Sequence, residues 1–241
     1  MFDLPQEYQN DVMVKLKDFI PKTLKLPIKK RLAADLKQVK LVGQIAGENI
    51  PSVINENDHC QVVQFYDITV NDIKTAPFIA TTYQNLIKPL CVLRIHDGLK
   101  EAYSMGLKRL SQIEENKIVL TDSLLTPAYP LVLPDTAKAE FLKQLAFPNI
   151  RNKNNKVVFY QEMYIRAYII NHQKADDEMV KLLASNIWYD PQKTWKTYEL
   201  IKTLVENKEL QNKLTGNGDK IKMNQTIKTN LEQLKNIING G

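Results

Sequence analysis

The segment that most constrains the fold is residues 61–70, QVVQFYDITV, which is rich in β-branched and aromatic side chains and reads as the clearest strand in the chain. The next stretch is equally punctuated. Residues 75–87 read as a helix with Pro77 in its first turn, where a missing N–H costs little, and Pro89 ends it. Residues 90–95 form a second strong strand. His96-Asp97-Gly98 then supplies hairpin chemistry, with residues 101–107 as the antiparallel partner. Upstream, Val39, Leu41 and Val42 carry strand signals before Gly43, and Gly47 marks a turn. Downstream, residues 117–120 read as a short strand.

The N-terminal stretch 6–19 places Val12, Leu16 and Phe19 at helical spacing, and residues 28–36 repeat Ile28, Leu32 and Leu36 every four positions. Pro21 and Pro27 bracket an extended connection between them. Pro127, Pro130 and Pro134 read as a linker, dividing an α/β domain (1–133) from a helical domain (134–241). Asp135 and Thr136 cap the helix that carries Phe141, Leu142 and Leu145. Long helices are expected over 157–174 and over 176–188, the second beginning with Asp176, Asp177 and Glu178.

The chain closes with a helical hairpin, 195–238, broken by Thr215-Gly216-Asn217-Gly218-Asp219. Its stripe of Ile227, Leu231, Leu234 and Ile238 faces Trp195, Tyr198, Ile201, Val205 and Leu210 or a partner, and the short turn favours an internal seam. The expected class is therefore α+β: a mixed α/β sheet domain followed by a helical domain ending in a hairpin.

Apolar residues at 44% and charged residues at 25% fit an ordinary globular protein and argue against disorder of the whole chain. No run approaches a membrane span, and the opening MFDLPQEYQNDVMVKLKDF lacks a signal-peptide core, so a cytoplasmic protein without membrane contact is expected. Cys60 and Cys91 are too few for a disulfide framework and read as buried thiols.

The net charge of +6 is concentrated. Residues 15–40 hold nine cations against Asp18 and Asp35. Lys22, Lys25, Lys29, Lys30, Arg31 and Lys37 are the candidate DNA-binding residues, neutralising phosphates without reading sequence; the competing interpretation is a solvated face.

Nucleotide-binding, zinc-protease and hydrolase signatures are absent, and His59, His96 and His172 have no paired spacing, so neither a metal nor a cofactor is indicated. Asp58 and Asp67 are set like the carboxylates of restriction-type nucleases, which hold Mg²⁺ to activate water. The lysine of that motif is replaced by Thr69, and Lys74 would have to substitute for it. The competing role for Asp67 is a half-buried strand residue. Tyr160, Tyr164 and Tyr168 form a helical stripe that reads as core.

Several stretches together carry a resemblance. They are Leu4-Pro5 with Phe19-Ile20-Pro21-Lys22; Ile50-Pro51 through Ile54-Asn55 into residues 61–68; Leu107-Lys108-Arg109-Leu110 to Leu120-Thr121; and residues 141–145 before the tyrosine-rich helix. Over residues 1–175 the chain resembles the bacterial family catalogued as domain of unknown function 4391. The hairpin 195–238 lies outside the matched part and reads as an added interaction element.

The resemblance implies an accessory protein encoded beside helicases and adenine-specific DNA methyltransferases in restriction-like loci, and it carries over no catalytic residues. Where relatives have an acidic residue and lysine ending the central strand, this chain has Thr69 and Val70. The expectation is a non-enzymatic subunit of an antiviral defence system that docks onto a helicase or methyltransferase and contacts duplex DNA. A degenerate metal-dependent nuclease and a phage- or plasmid-encoded binder of a host protein are the alternatives.

Overall fold

The computed structural model describes residues 1–111 and 118–239. They form two compact units, divided between Tyr164 and Ile165. The first contains β1 (Gln9–Val14), α1 (Leu16–Phe19), α2 (Leu26–Asp35), β2 (Leu36–Ile45), the small hairpin β3 (Val53–Ile54) and β4 (His59–Cys60), and β5 (Val63–Val70). Next along the chain come α3 (Ala76–Leu86), β6 (Leu90–His96), β7 (Lys100–Leu110), β8 (Ile118–Leu125), β9 (Tyr129–Pro130) and α4 (Thr136–Leu145). Helix α5 (Lys156–Asn171) crosses the boundary.

Among the described residues the main sheet has seven strands in the order β1-β2-β5-β6-β7-β8, with β9 attached to β7. Every pairing in it is antiparallel except β5 with β6. Those two run parallel because α3 carries the chain back across the sheet, which a tight turn cannot do. At the β6–β7 turn, Asp97 Oδ1 accepts the N–H groups of Leu99 and Lys100, both at 2.9 Å, and Gly98 takes φ +93°, the left-handed region that favours glycine. The α+β class is as expected.

Several local expectations change. The stretch 6–19 is not one helix: a 3₁₀ turn over Gln6–Tyr8 leads into β1, and only Leu16–Phe19 is helical. Val12 and Val14 pair with Leu41 and Val39, so cross-strand pairing overrides the helical spacing. Helix α2 ends at Asp35, and Leu36, its expected last apolar contact, already opens β2. The strand expected over 117–120 runs to Leu125, while Lys117 lies outside the described residues. In the proline-marked segment, Tyr129 and Pro130 pair with Glu101 and Lys100.

One face of the sheet buries Val39, Ile68, Val70, Leu93 and Ile95 beneath Leu32 of α2 and Ile79 and Tyr83 of α3. Phe19 stacks on Tyr83 at 4.1 Å and receives its hydroxyl hydrogen bond at the backbone oxygen, 3.0 Å away. On the other face Phe2 meets Tyr103 at 5.6 Å and Phe141 at 6.2 Å. The Tyr160 hydroxyl donates to the Cys91 carbonyl at 2.7 Å and accepts from the Gly106 N–H at 3.0 Å, so this tyrosine is a core strut. The fully buried Lys156 ammonium donates to the carbonyls of Gly47 and Ile50, each at 2.6 Å, and to Ser52 Oγ at 3.0 Å.

In the second unit the helix expected over 176–188 is interrupted. Asp176 caps α6 (Asp177–Lys181), and 3₁₀ turns come next at Leu182–Ala184 and Ile187–Tyr189. The Leu182 carbonyl is taken by Ser185 Oγ at 2.8 Å and Trp188 Nε1 at 3.0 Å, which ends regular helix there. Tyr168 packs edge-on against Tyr198 at 5.4 Å. Asp190 caps α7 (Pro191–Lys213), which pairs with α8 (Asn217–Asn239). Ile201, Leu204, Val205, Ile227 and Leu234 are buried, whereas Leu210 and Ile221 near the turn are 47% and 59% exposed. No helix among the described residues is long and apolar enough to cross a membrane.

Leu234 is fully buried and Leu231 only half-buried. Leu234→Asp should therefore cost about 3 kcal/mol or more, from an unpaired buried charge, and Leu231→Asp distinctly less. Urea denaturation of the two variants measures the difference; equal losses would mean that the seam does not hold the hairpin.

Candidate functional site

The basic segment folds into α1, α2 and the start of β2, and its cations divide into two kinds. Lys22, Lys25, Lys30 and Lys37 are exposed, as are Lys15 and Lys17. Lys29 is half-buried, and its ammonium donates to the Lys22 carbonyl. Arg31 is engaged twice: its guanidinium lies 3.9 Å over the Phe78 ring and 3.5 Å from Asp35. Lys40 pairs with Asp11 at 3.1 Å. Of the six candidate phosphate contacts, four thus project into solvent and two also fasten α2.

A second constellation lies on the strands at the centre of the sheet. The pairing aligns Asp67 of β5 with Arg94 of β6 and Tyr103 of β7, and one row along it aligns Thr69 with His96 and Glu101. Glu101, 1% exposed, accepts Arg94 Nε at 2.6 Å and the Lys138 ammonium at 2.5 Å. Lys138 uses its remaining donors on the carbonyls of Pro130 and Leu131, at 3.1 and 3.2 Å. Arg94 also reaches Asp67, with Nη1 3.6 Å from Oδ1.

Burial alone would raise the Asp67 pKa. The close approach of His96, together with the charges of Arg94, His96 and Lys40, outweighs it and holds the carboxyl below its ordinary range. Burial, helped by the Glu101 charge, pushes the Tyr103 hydroxyl up and keeps it a donor.

Beside this network opens a cavity of about 440 Å³. Phe2, Val42, Tyr103 and Leu142 supply apolar lining, and Asp3, Asp67, Arg94, Glu101, Lys138 and Lys143 supply charged lining. His96 Nε2 sits 3.2 Å from Asp67 Oδ1 and 3.3 Å from Thr69 Oγ1. Both neighbours meet the same ring nitrogen, so the three do not form a proton relay, which needs opposite nitrogens.

The nuclease pair is not assembled. Asp58 lines a separate cavity of about 10 Å³ with Cys60 and Lys108, and burial raises its pKa. Among the described residues no group of three metal-ligating side chains occurs. Asp67 is committed to cations. The two thiols are buried, and burial pushes Cys60 up to about 11, which keeps it protonated at neutral pH.

Sequence reasoning missed Arg94, Glu101, Tyr103 and Lys138 as one group. The readable signal was a charged residue inside each of two buried strands, Asp67 in VQFYDITV and Arg94 in LCVLRIH.

This network generates two expected outcomes. Glu101→Gln keeps the shape but leaves Arg94 and Lys138 without their shared anion, and should cost about 3–5 kcal/mol in a thermal or urea melt. Asp67, its folded pKa depressed, contributes stability above its unfolded pKa of about 3.9, and that contribution is lost as pH falls through the folded value. Asp67→Asn should accordingly flatten the acid limb of stability against pH; an unchanged limb would show that the ion pairs contribute nothing.

A family model described as a domain of unknown function matches residues 2–234. No curated protein and no solved structure gives a match. The match extends through most of α8, so the hairpin belongs to the shared family architecture and is not an addition outside it. The chain belongs to the family of the domain of unknown function DUF4391.

Proposed function

We propose that this protein is a non-catalytic accessory subunit that contacts the phosphate backbone of DNA through α1, α2 and the start of β2. In this reading it acts within an antiviral, restriction-like system by docking onto a larger helicase or DNA methyltransferase. The observation that carries the DNA contact is the exposed set Lys22, Lys25, Lys30 and Lys37, which makes no ion pair among the described residues and lies within sixteen consecutive residues. Lysine ammonium groups there can neutralise phosphates while releasing counterions, which gives affinity without base selection. The commitment of Asp67 to Arg94 and His96 supports a binding role over the metal-dependent nuclease.

If these four lysines engage phosphates, affinity for duplex DNA should fall by about 10²-fold between roughly 50 and 200 mM salt. Lys25→Glu, Lys30→Glu and Lys37→Glu together should abolish binding with no change in melting temperature. Arg31 is left intact in that variant because its removal would also disturb the Phe78 contact. Unchanged DNA affinity in the folded triple variant removes the proposal. Sequence-independent binding that the variant loses supports it.

A further inference from the structure

Lys108 belongs neither to the basic segment nor to the network around Glu101, and it points inward. Its half-buried side chain reaches from β7 to the connection between α3 and β6, where the ammonium donates to the carbonyls of Ile87 at 2.6 Å and Pro89 at 2.9 Å. Its third contact is the sulfur of Cys91 on β6, 3.6 Å away. An ammonium has three donors, and these acceptors take all of them. Among the described residues no carboxylate pairs with it.

The thiol is held in position for this contact. Cys91 Sγ donates to Gln84 Oε1 at 3.5 Å, which leaves the sulfur lone pairs to Lys108. Gly106 makes room for that amide: a Cβ there would stand 2.9 Å from Gln84 Oε1 and 2.6 Å from Leu120 Cδ1. Val92 pairs with Met105, and the same antiparallel register makes Cys91 and Lys108 diagonal neighbours on one face of the sheet.

The environment also favours the neutral forms of both groups. Burial pulls the Lys108 ammonium below its ordinary range and pushes the Cys91 thiol above its own, while each partner opposes the shift of the other. A neutral amine has a nucleophilic lone pair, and here it faces a sulfur.

We infer that Cys91 and Lys108 form an oxidative modification site, in which one oxygen atom joins Lys108 Nζ to Cys91 Sγ and cross-links β7 to β6. The oxidant is dioxygen. One of its atoms makes the new N–O and O–S bonds, and the other leaves as water with one hydrogen from the amine and one from the thiol. Nitrogen and sulfur each give up two electrons, and dioxygen takes all four.

Cys91 is fully buried, so the oxidant must be small and uncharged. Lys108 lines an internal space of about 10 Å³, about the size of one small molecule. The same burial keeps bulkier oxidants from driving the sulfur on to its sulfinic and sulfonic acids. In the bridge Nζ keeps a single hydrogen, so at least one of the Ile87 and Pro89 carbonyls loses its bond. Oxidation thereby staples two strands and loosens the connection between α3 and β6.

The test compares the full chain kept in oxygenated buffer with the chain kept anaerobically with dithiothreitol, by intact mass and tryptic mapping. The oxygenated chain should gain one oxygen and lose two hydrogens, resist trypsin after Lys108, and yield the Cys91 and Lys108 peptides joined. Dithiothreitol should separate them, returning the four electrons. Cys91→Ser and Lys108→Arg should each lose the joined product, and Cys60→Ser should keep it. If a variant fails to fold, the joined peptides of the wild-type chain decide alone. A Cys91 that stays free in oxygen, or gains oxygen without joining Lys108, overturns the inference. So does a joined product that resists dithiothreitol, because the isomer with a direct N–S bond would then be present instead.

Discussion

A carboxylate that is 1% exposed sits where three strands and a helix converge, and the organisation of the sheet depends on how its charge is met. Burying Glu101 without partners would cost several kcal/mol, close to the whole margin of a folded domain. Arg94 comes from the neighbouring strand and Lys138 from the first turn of α4. Each partner is fastened in turn, Arg94 by Asp67 and Lys138 by the Pro130 and Leu131 carbonyls. The bond from Lys138 therefore fixes α4 and the segment after β9 against the same point. Removing one member leaves several groups unsatisfied together, so the coupling is cooperative in a way that pairwise counting would miss.

The parallel step between β5 and β6 sets the register that brings Asp67 beside Arg94 and Thr69 beside His96. Alternation along these central strands sends successive side chains to opposite faces of the sheet. On one face the alternation delivers Ile68, Leu93 and Ile95 to an apolar core under α2 and α3. On the other it delivers Asp67, Thr69, Arg94 and His96. The polar face remains tenable because Arg94 answers both Asp67 and Glu101, and Lys138 answers Glu101 again.

The elements that alternate strongly were legible in the sequence. VQFYDITV and LCVLRIH read as strands, and APFIATTYQNL as a helix, because composition, proline placement and period agree there. Residues 9–14 misled because Val12, Leu16 and Phe19 have helical spacing by coincidence, while pairing with β2 decides the outcome. An edge strand has both faces near solvent, and with Val12 at 52% and Met13 at 55% exposure it carries no alternation to read. The ionic site escaped for a different reason. Glu101, Arg94 and Asp67 lie on three strands, and register is a tertiary property that no local pattern encodes. The presence of charge inside buried strands was visible; which charge would answer which was not.

The same distinction governs the basic segment, where sequence shows nine cations of one kind and structure shows two. Arg31 has a ring beneath it and a carboxylate one helical turn away, so its planar charge is already half-satisfied. Lys29 closes the loop before α2 by bonding the Lys22 carbonyl. A phosphate approaching either group must compete with a partner in place, whereas at Lys22, Lys25, Lys30 and Lys37 it displaces only water and counterions. α2 has no side-chain N-cap and no acidic residue in its first turn; Lys29 ties its start to the preceding loop and Arg31 ties it to Phe78 of α3. The free ones are left to set the surface potential, and their spacing depends on that anchoring: the helix must be fixed by some of its charges before the rest can present a defined surface to a phosphate backbone.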